Sequence, residues 1–313
     1  MENCNELESR SGISLSLRLI HLCAFAPLRF LTPARGILNH YFTHGVTLAY
    51  RTYGHGPIAV LAFHGFGRTG EDFAVLTSAL GEACTLYAFD LHFHGQSPSY
   101  PDRADVPFTP HELAHFFTAF ADLIQKDRII LLGYSLGGRI ALSLVECMPQ
   151  RIDRVLLVAP DGLVTRPWYR ILATSTFGRA LYRRFVEKPI LIHGLIDGLR
   201  KLRLMNDRRY RFLKGQTDSK RKRILVRDVW LSYRLIEPNL AVVAAKAEEF
   251  RIPIHLFFGT HDRVIPPTTG HNLRKFAPDR ITQEELPAGH ILLTPELGSA
   301  IIAHLDMAPL PTA

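Results

Sequence analysis

The sequence predicts an α/β fold: a mostly parallel central sheet with helices on both faces, an antiparallel hairpin at its start and a helical insertion after the sixth strand. Three observations carry this expectation. Short, almost continuous apolar runs alternate with longer helical stretches from residue 58 to 158, and the pattern returns after residue 254. A serine in G-x-S-x-G stands directly between one such run and one such stretch. The alternation is interrupted by about 75 arginine-rich residues, 162–237, that hold no strong strand-like run.

Residues 1–36 read as an N-terminal extension, either amphipathic or disordered. Its apolar stretch from Ile13 to Leu31 is broken by Arg18, His21, Pro27 and Arg29, which makes a poor membrane span. Glu2, Glu6 and Glu8 precede it where a secretory signal would carry positive charge. Ile13, Leu17, Ile20 and Ala24 are spaced to share one helical face; a loosely ordered or packed extension is the plainer expectation.

Residues 37–313 read as one domain. Ile37 to Thr43 and Val46 to Tyr53 largely alternate apolar and polar residues about His44-Gly45, a hairpin pattern. Ile58 to Phe63 is the kind of run that lies in a sheet covered on both faces. A helix around Glu71 to Leu80, a strand at Thr85 to Phe89 and a helix around His111 to Lys126 follow. Next come a strand at Ile129 to Leu132, a helix from Gly137 to Cys147 and a strand at Val155 to Val158. After the insertion, strands are expected at Ile254 to Phe258 and Ile281 to Leu286.

Composition is ordinary for a globular chain, with 47% hydrophobic and 21% charged residues, which argues against disorder or a coiled coil. The four cysteines (Cys4, Cys23, Cys84, Cys147) are scattered, without a C-x-x-C pair or short spacing to histidines. They read as reduced thiols, Cys84 and Cys147 as small buried hydrophobes, and no metal or cofactor is expected. Charge is unevenly placed. Between Val164 and Arg234 there are 19 Lys or Arg against five acids, a local +14 against +8 for the whole chain. Such a patch suits anionic lipid or acidic substrates; no nucleic-acid motif accompanies it, so no nucleic acid is expected as a partner.

The run Ile129-Ile-Leu-Leu-Gly133-Tyr-Ser135-Leu-Gly137-Gly138 sets Ser135 on a sharp strand-to-helix turn. Glycines two before and two after let strand and helix approach, and the helix N-terminus favours negative charge beside the hydroxyl. A serine nucleophile needs donors for the oxyanion that forms. His64-Gly65-Phe66-Gly67, after an apolar run, suits this, with the amide of Phe66 joining that of Leu136. Tyr134, next to the nucleophile, is the candidate substrate-binding residue. The base must be a histidine oriented by a carboxylate. Among 15 histidines, His290 stands just past the last strand and Asp262 just past the one before it. Ligands gather beyond the carboxyl ends of parallel strands, where all these groups fall. Asp161 competes as the acid, His261 and His94 as the base. His64 reads as a structural histidine, and Asp90 as an acceptor that fixes the loop bearing Gly95 and Ser97.

Over roughly residues 40 to 306 the chain resembles the α/β-hydrolase family. The resemblance rests on His64-Gly65-Phe66-Gly67, Phe89-Asp90 through Ser97, the turn around Ser135, Gly259-Thr-His-Asp262 and Gly289-His290. It implies a helical cap over the pocket at residues 162–237, and a serine hydrolase acting on a carboxylic ester, thioester or lipid ester through an acyl-enzyme. The segment Gly133 to Arg139 also resembles that of lyases making a menaquinone precursor, in which the triad serves as a base. A third expectation is a non-catalytic member that binds anionic lipid or a partner through the basic segment. The expected partners are a small-molecule ester and an anionic membrane surface. The expected location is cytoplasmic, with peripheral membrane association as a variant.

Overall fold

The computed structural model describes residues 36–164, 175–205 and 207–305. The helical face expected at residues 13–24, and Cys4 and Cys23, lie outside them. Eight strands form one sheet in the order β1-β2-β4-β3-β5-β6-β7-β8. Their ranges are Ile37–Thr43, Val46–Gly54, Ile58–Phe63, Cys84–Phe89, Ile129–Tyr134, Ile152–Val158, Ile254–Gly259 and Ile281–Leu286. β1 pairs with β2 and β2 with β4 antiparallel, and every other pairing is parallel. The expected sheet and its opening hairpin are both present.

The central strands read as continuous apolar runs because both faces are covered. All six residues of β5 and all six of β7 are buried, and a hydrophobic core lies on each side of the sheet. The helices are α1 (Thr77–Leu80), α2 (Pro110–Leu123), α3 (Leu136–Cys147), α4 (Thr176–Glu187), α5 (Ile190–Lys201) and α6 (Asp207–Thr217). They continue with α7 (Lys220–Ser232), α8 (Leu240–Glu249), α9 (His271–Arg274) and α10 (Pro295–Leu305). α2 starts where Thr109 Oγ1 accepts the amide of Glu112 and Pro110 fills the first turn. It buries Leu113, Phe116, Phe117 and Phe120, an i, i+3, i+4, i+7 stripe. α3 buries ten of its twelve residues and is the central helix of the core.

One expected helix differs. Residues 70–76 form a tighter 3-10 turn, and only Thr77–Leu80 is α-helical. The reason lies 20 residues away, where Asp90 Oδ1 accepts the amide of Gly70 at 2.7 Å and ties the turn to the end of β4. Cys84 is fully buried, its thiol pushed up to about 11 by desolvation, whereas Cys147 is only half-buried.

Helices α4 to α7 fill the interval between β6 and β7 where the sequence is basic. The last of them docks on the body: Ser232 accepts the amide of Phe108 at 2.8 Å. The Arg234 guanidinium donates to the carbonyls of Ala104 and Asp105, and Tyr233 Oη meets His92 Nδ1 at 2.9 Å. Among the described residues no helix is long and apolar enough to cross a membrane.

Asp90 is the chief buried acid of the strand-end loops. Its Oδ2 accepts from Arg51 Nη1 at 3.0 Å and from the amide of Gln96 at 2.8 Å, while Ser97 Oγ donates to its carbonyl. Removing one partner of a buried pair strands the other charge, at about 3–5 kcal/mol. Asp90→Ala is therefore expected to lower unfolding free energy by that amount in urea titration. Glu71→Ala, which removes the second acid on Arg51 but one 66% exposed, is expected to cost under about 1 kcal/mol.

Candidate active site

The site is assembled at the carboxyl ends of β3, β5, β6, β7 and β8. β5 passes into α3 at Ser135, whose backbone is held at φ +50° and ψ −113°, a region that side-chain-bearing residues rarely adopt. Three hydrogen bonds keep it there. Its amide donates to the Val158 carbonyl at 3.0 Å, and its carbonyl accepts the amides of Gly138 at 2.9 Å and Asp161 at 2.8 Å. A β-carbon on Gly137 would collide with the carbonyl of Phe63, so close approach dictates glycine there.

The loop after β3 lies against this turn. The amide of Gly137 donates to the His64 carbonyl at 3.1 Å, and a β-carbon on Gly65 would come within 3.1 Å of the Ser135 β-carbon. No hydrogen bond within the described residues takes up the amides of Phe66 or Leu136.

Asp262 Oδ2 lies 2.8 Å from His290 Nδ1, and Asp262 Oδ1 accepts the amides of Val264 at 2.8 Å and Ile265 at 3.0 Å. Burial alone would raise the carboxyl pKa, but the hydrogen bonds from His290, Ile265 and Val264 outweigh it and leave the value lowered. The two loops touch directly. The amide of Thr260 donates to the Leu286 carbonyl and that of His261 to the Ala288 carbonyl. Ser135 and His290 share no hydrogen bond; what links their segments is Tyr134. Its ring lies 5.6 Å from the imidazole, and its hydroxyl donates to the His290 carbonyl at 3.0 Å. That buried phenol is engaged with the chain that carries His290.

The competing residues are occupied elsewhere. Asp161 Oδ2 meets Arg139 Nη2 at 2.6 Å, and the exposed His261 ring meets Thr260 Oγ1. His94 Nε2 accepts the amide of Gly67 at 3.0 Å while Nδ1 donates to the His92 carbonyl. His64 Nε2 accepts the amide of Leu91 and Nδ1 donates to Gly65, which fixes both imidazoles in one neutral tautomer each. Burial pushes His64 well below its ordinary value, His92 down to about 3, and His94 in the same direction.

One residue at the site carries no motif. Trp230 of α7 stacks on Phe66 at 6.1 Å and lies under the Arg139 guanidinium at 5.4 Å. The inserted helices thus reach the Phe66 loop. Its only sequence signal is that it is one of two tryptophans, both in the basic segment. Among the described residues no group of three or more His, Cys, Asp or Glu could hold a metal ion.

Fold and strand-end geometry together define an α/β-hydrolase, and the chain belongs to the α/β hydrolase family, which it matches over residues 59–297. It is similar to an uncharacterized protein of Mycobacterium tuberculosis, 32% identical over 142 residues, covering 43% of this chain and 39% of the other. The chain thus spans about two fifths of the length of that curated relative. A pimeloyl-[acyl-carrier protein] methyl ester esterase of Chromobacterium violaceum is 27% identical over 255 residues, 78% of this chain and 91% of the other. Among solved structures, the enol-lactonase of Burkholderia xenovorans LB400 is similar, with a TM-score of 0.60 and 19% identity. The match covers 86% of this chain and all of that one.

The buried histidines make stability depend on pH. In the unfolded chain each titrates near about 6.5, whereas the folded protein keeps them neutral to lower pH. Because the folded values are depressed, the stabilisation is full above about 6.5 and is lost as pH falls towards the folded values. Each such histidine then contributes a slope of up to about 1.4 kcal/mol per pH unit. The urea midpoint is expected to fall between about pH 7 and pH 5. His92→Gln is expected to flatten that slope by about one proton.

Proposed function

We propose that this chain is a serine hydrolase that cleaves a carboxylic ester, with Ser135 as nucleophile, His290 as base and Asp262 as the carboxylate that orients it. The observation that carries this reading is the 2.8 Å contact of Asp262 Oδ2 with His290 Nδ1, with the other carboxylate oxygen held by two backbone amides. That pairing directs Nε2 of His290 away from the acid and makes Nδ1 the protonated nitrogen. The strained turn at Ser135 and its contact with the Gly65-Phe66 loop add support.

In this mechanism Ser135 Oγ attacks the ester carbonyl carbon while His290 Nε2 takes the hydroxyl proton. The oxyanion is held by the amides of Phe66 and Leu136, donors fixed in advance by the fold. The carbon–alkoxide bond breaks, and His290 returns its proton to the departing alcohol. Water then attacks the acyl-enzyme with His290 again as base, and the imidazolium returns that proton to Ser135 Oγ as the Oγ–carbon bond breaks and the acid is released. Asp262, its pKa lowered, remains an anion at neutral pH and stabilises the imidazolium at each transfer. Tyr134 serves here as a positioning residue through the His290 carbonyl, and Trp230 as one wall beside Phe66.

The ester class has support from the methyl ester esterase relative. An esterase of Thermogutta terrifontis, 20% identical with a TM-score of 0.59 over 87% of this chain and 98% of that one, shares the fold. A fluorophosphonate probe is expected to label the wild-type protein and to fail on Ser135→Ala. Asp262→Asn is expected to lower kcat on a short p-nitrophenyl ester by about 10⁴ with the fold intact by circular dichroism. A wild-type protein that neither labels nor hydrolyses short esters would sink the proposal.

A further inference from the structure

The inserted helices carry a surface that the proposed reaction leaves unexplained. α4 and α5 hold apolar side chains out in solvent: Phe177 is 77% exposed, Ile190 81%, and Leu195 61%. Just past α5, Leu202 is 70% exposed. The spacing is helical. Phe177 and Leu181 lie at i, i+4 on α4, and Leu195, Leu199 and Leu202 run i, i+4, i+7 along α5 and its end. Stripes of this kind usually face a core, yet here Phe177, Leu181, Leu195 and Leu202 face water and Leu199 is half-buried.

Both helices also carry positive charge. Arg179, Arg183 and Arg184 of α4 line a groove of about 470 Å³ that also holds Thr176, Asp105 and Glu187. Asp105 pairs with Arg183, both well exposed, and with Glu187 the two acids leave the three arginines of the groove a net charge of +1. Arg200, Lys201 and Arg203 follow beside Leu202. Guanidinium groups match phosphate oxygens, and large aliphatic side chains gain by leaving water. A nucleic acid would satisfy the arginines and leave Ile190, Leu195 and Leu202 in water. An anionic bilayer satisfies both, headgroup phosphates at the groove and the upper acyl region around the apolar side chains.

We propose that α4 and α5 form a docking face for a membrane surface rich in anionic phospholipid. This surface stands independently of the chemistry at Ser135. The test is flotation of the full chain with vesicles of about 30% phosphatidylglycerol in phosphatidylcholine against phosphatidylcholine alone, near 0.1 M salt. Binding to the anionic vesicles is expected to be at least about tenfold stronger, and to weaken at about 0.5 M salt as the Debye length shortens. R179E/R183E/R184E is expected to lower partitioning about 100-fold, since each basic side chain near an anionic surface contributes roughly fivefold. L195S/L202S, which alters only exposed side chains, is expected to lower it about tenfold. The second variant keeps the test sound should the first unfold, and the thermal midpoint and fluorophosphonate labelling of each report the fold and Ser135 separately. Equal binding to both vesicle types, or binding retained in the folded variants, overturns the proposal. So does displacement by millimolar inorganic phosphate, which would make the groove a site for a free anion, or a preference for RNA over the vesicles.

Discussion

A β-carbon at position 137 has nowhere to go: it would meet the carbonyl of Phe63 at the end of β3. This crowding sets the rest of the site. It draws α3 against the sheet until the Gly137 amide reaches the His64 carbonyl, and it forces the reversal at Ser135 to occur within one residue. The positive φ that results costs about 1–3 kcal/mol where a side chain is present. The core repays that cost because ten residues of α3 are buried around it, and because neighbours on β6 and its following loop bond both sides of the Ser135 peptide. The partly exposed serine sits on a turn whose surroundings are almost entirely buried.

Polar groups buried near the strand ends serve the same purpose as apolar packing elsewhere. Asp90, His64 and His94 spend their hydrogen-bonding capacity on backbone amides of loops, at Gly70, Gln96, Leu91 and Gly67. A loop that would otherwise sample many conformations is thereby fixed from within. Asp262 does likewise with Val264 and Ile265 before it meets His290, so the carboxylate beside the imidazole is itself held in place. Among the described groups, two imidazoles and the Asp90 carboxylate hold the loops after β3 and β4, and the Asp262 carboxylate holds the His290 side.

Much of this was legible in the sequence, for a physical reason. A strand covered on both faces must be apolar throughout, so β3, β5 and β7 announced themselves as runs, and the residues just past such runs had to lie together at one end of the sheet. That logic places Ser135, Asp262 and His290 at one end of the sheet, where the structure has them. Contacts across long separations were not legible. The pairing of Asp161 with Arg139, which distinguishes its surroundings from those of Asp262, could not be read from the sequence. The 3-10 turn at residues 70–76 turned on Asp90. The hydrogen bond of the Tyr134 hydroxyl to the carbonyl of a residue 156 positions away is another such contact. The arginine-rich insertion gave its helical character but not its order of packing, since its charges obscure which faces are apolar.

Trp230 gives the molecule a built-in optical reporter. The chain has two tryptophans, Trp168 and Trp230, and the second lies against Phe66 and Arg139 where the inserted helices meet the loop after β3. Indole emission shifts with the polarity of its surroundings. With Trp168 replaced by phenylalanine, the fluorescence of the remaining indole would report on the surroundings of that junction, with no label attached.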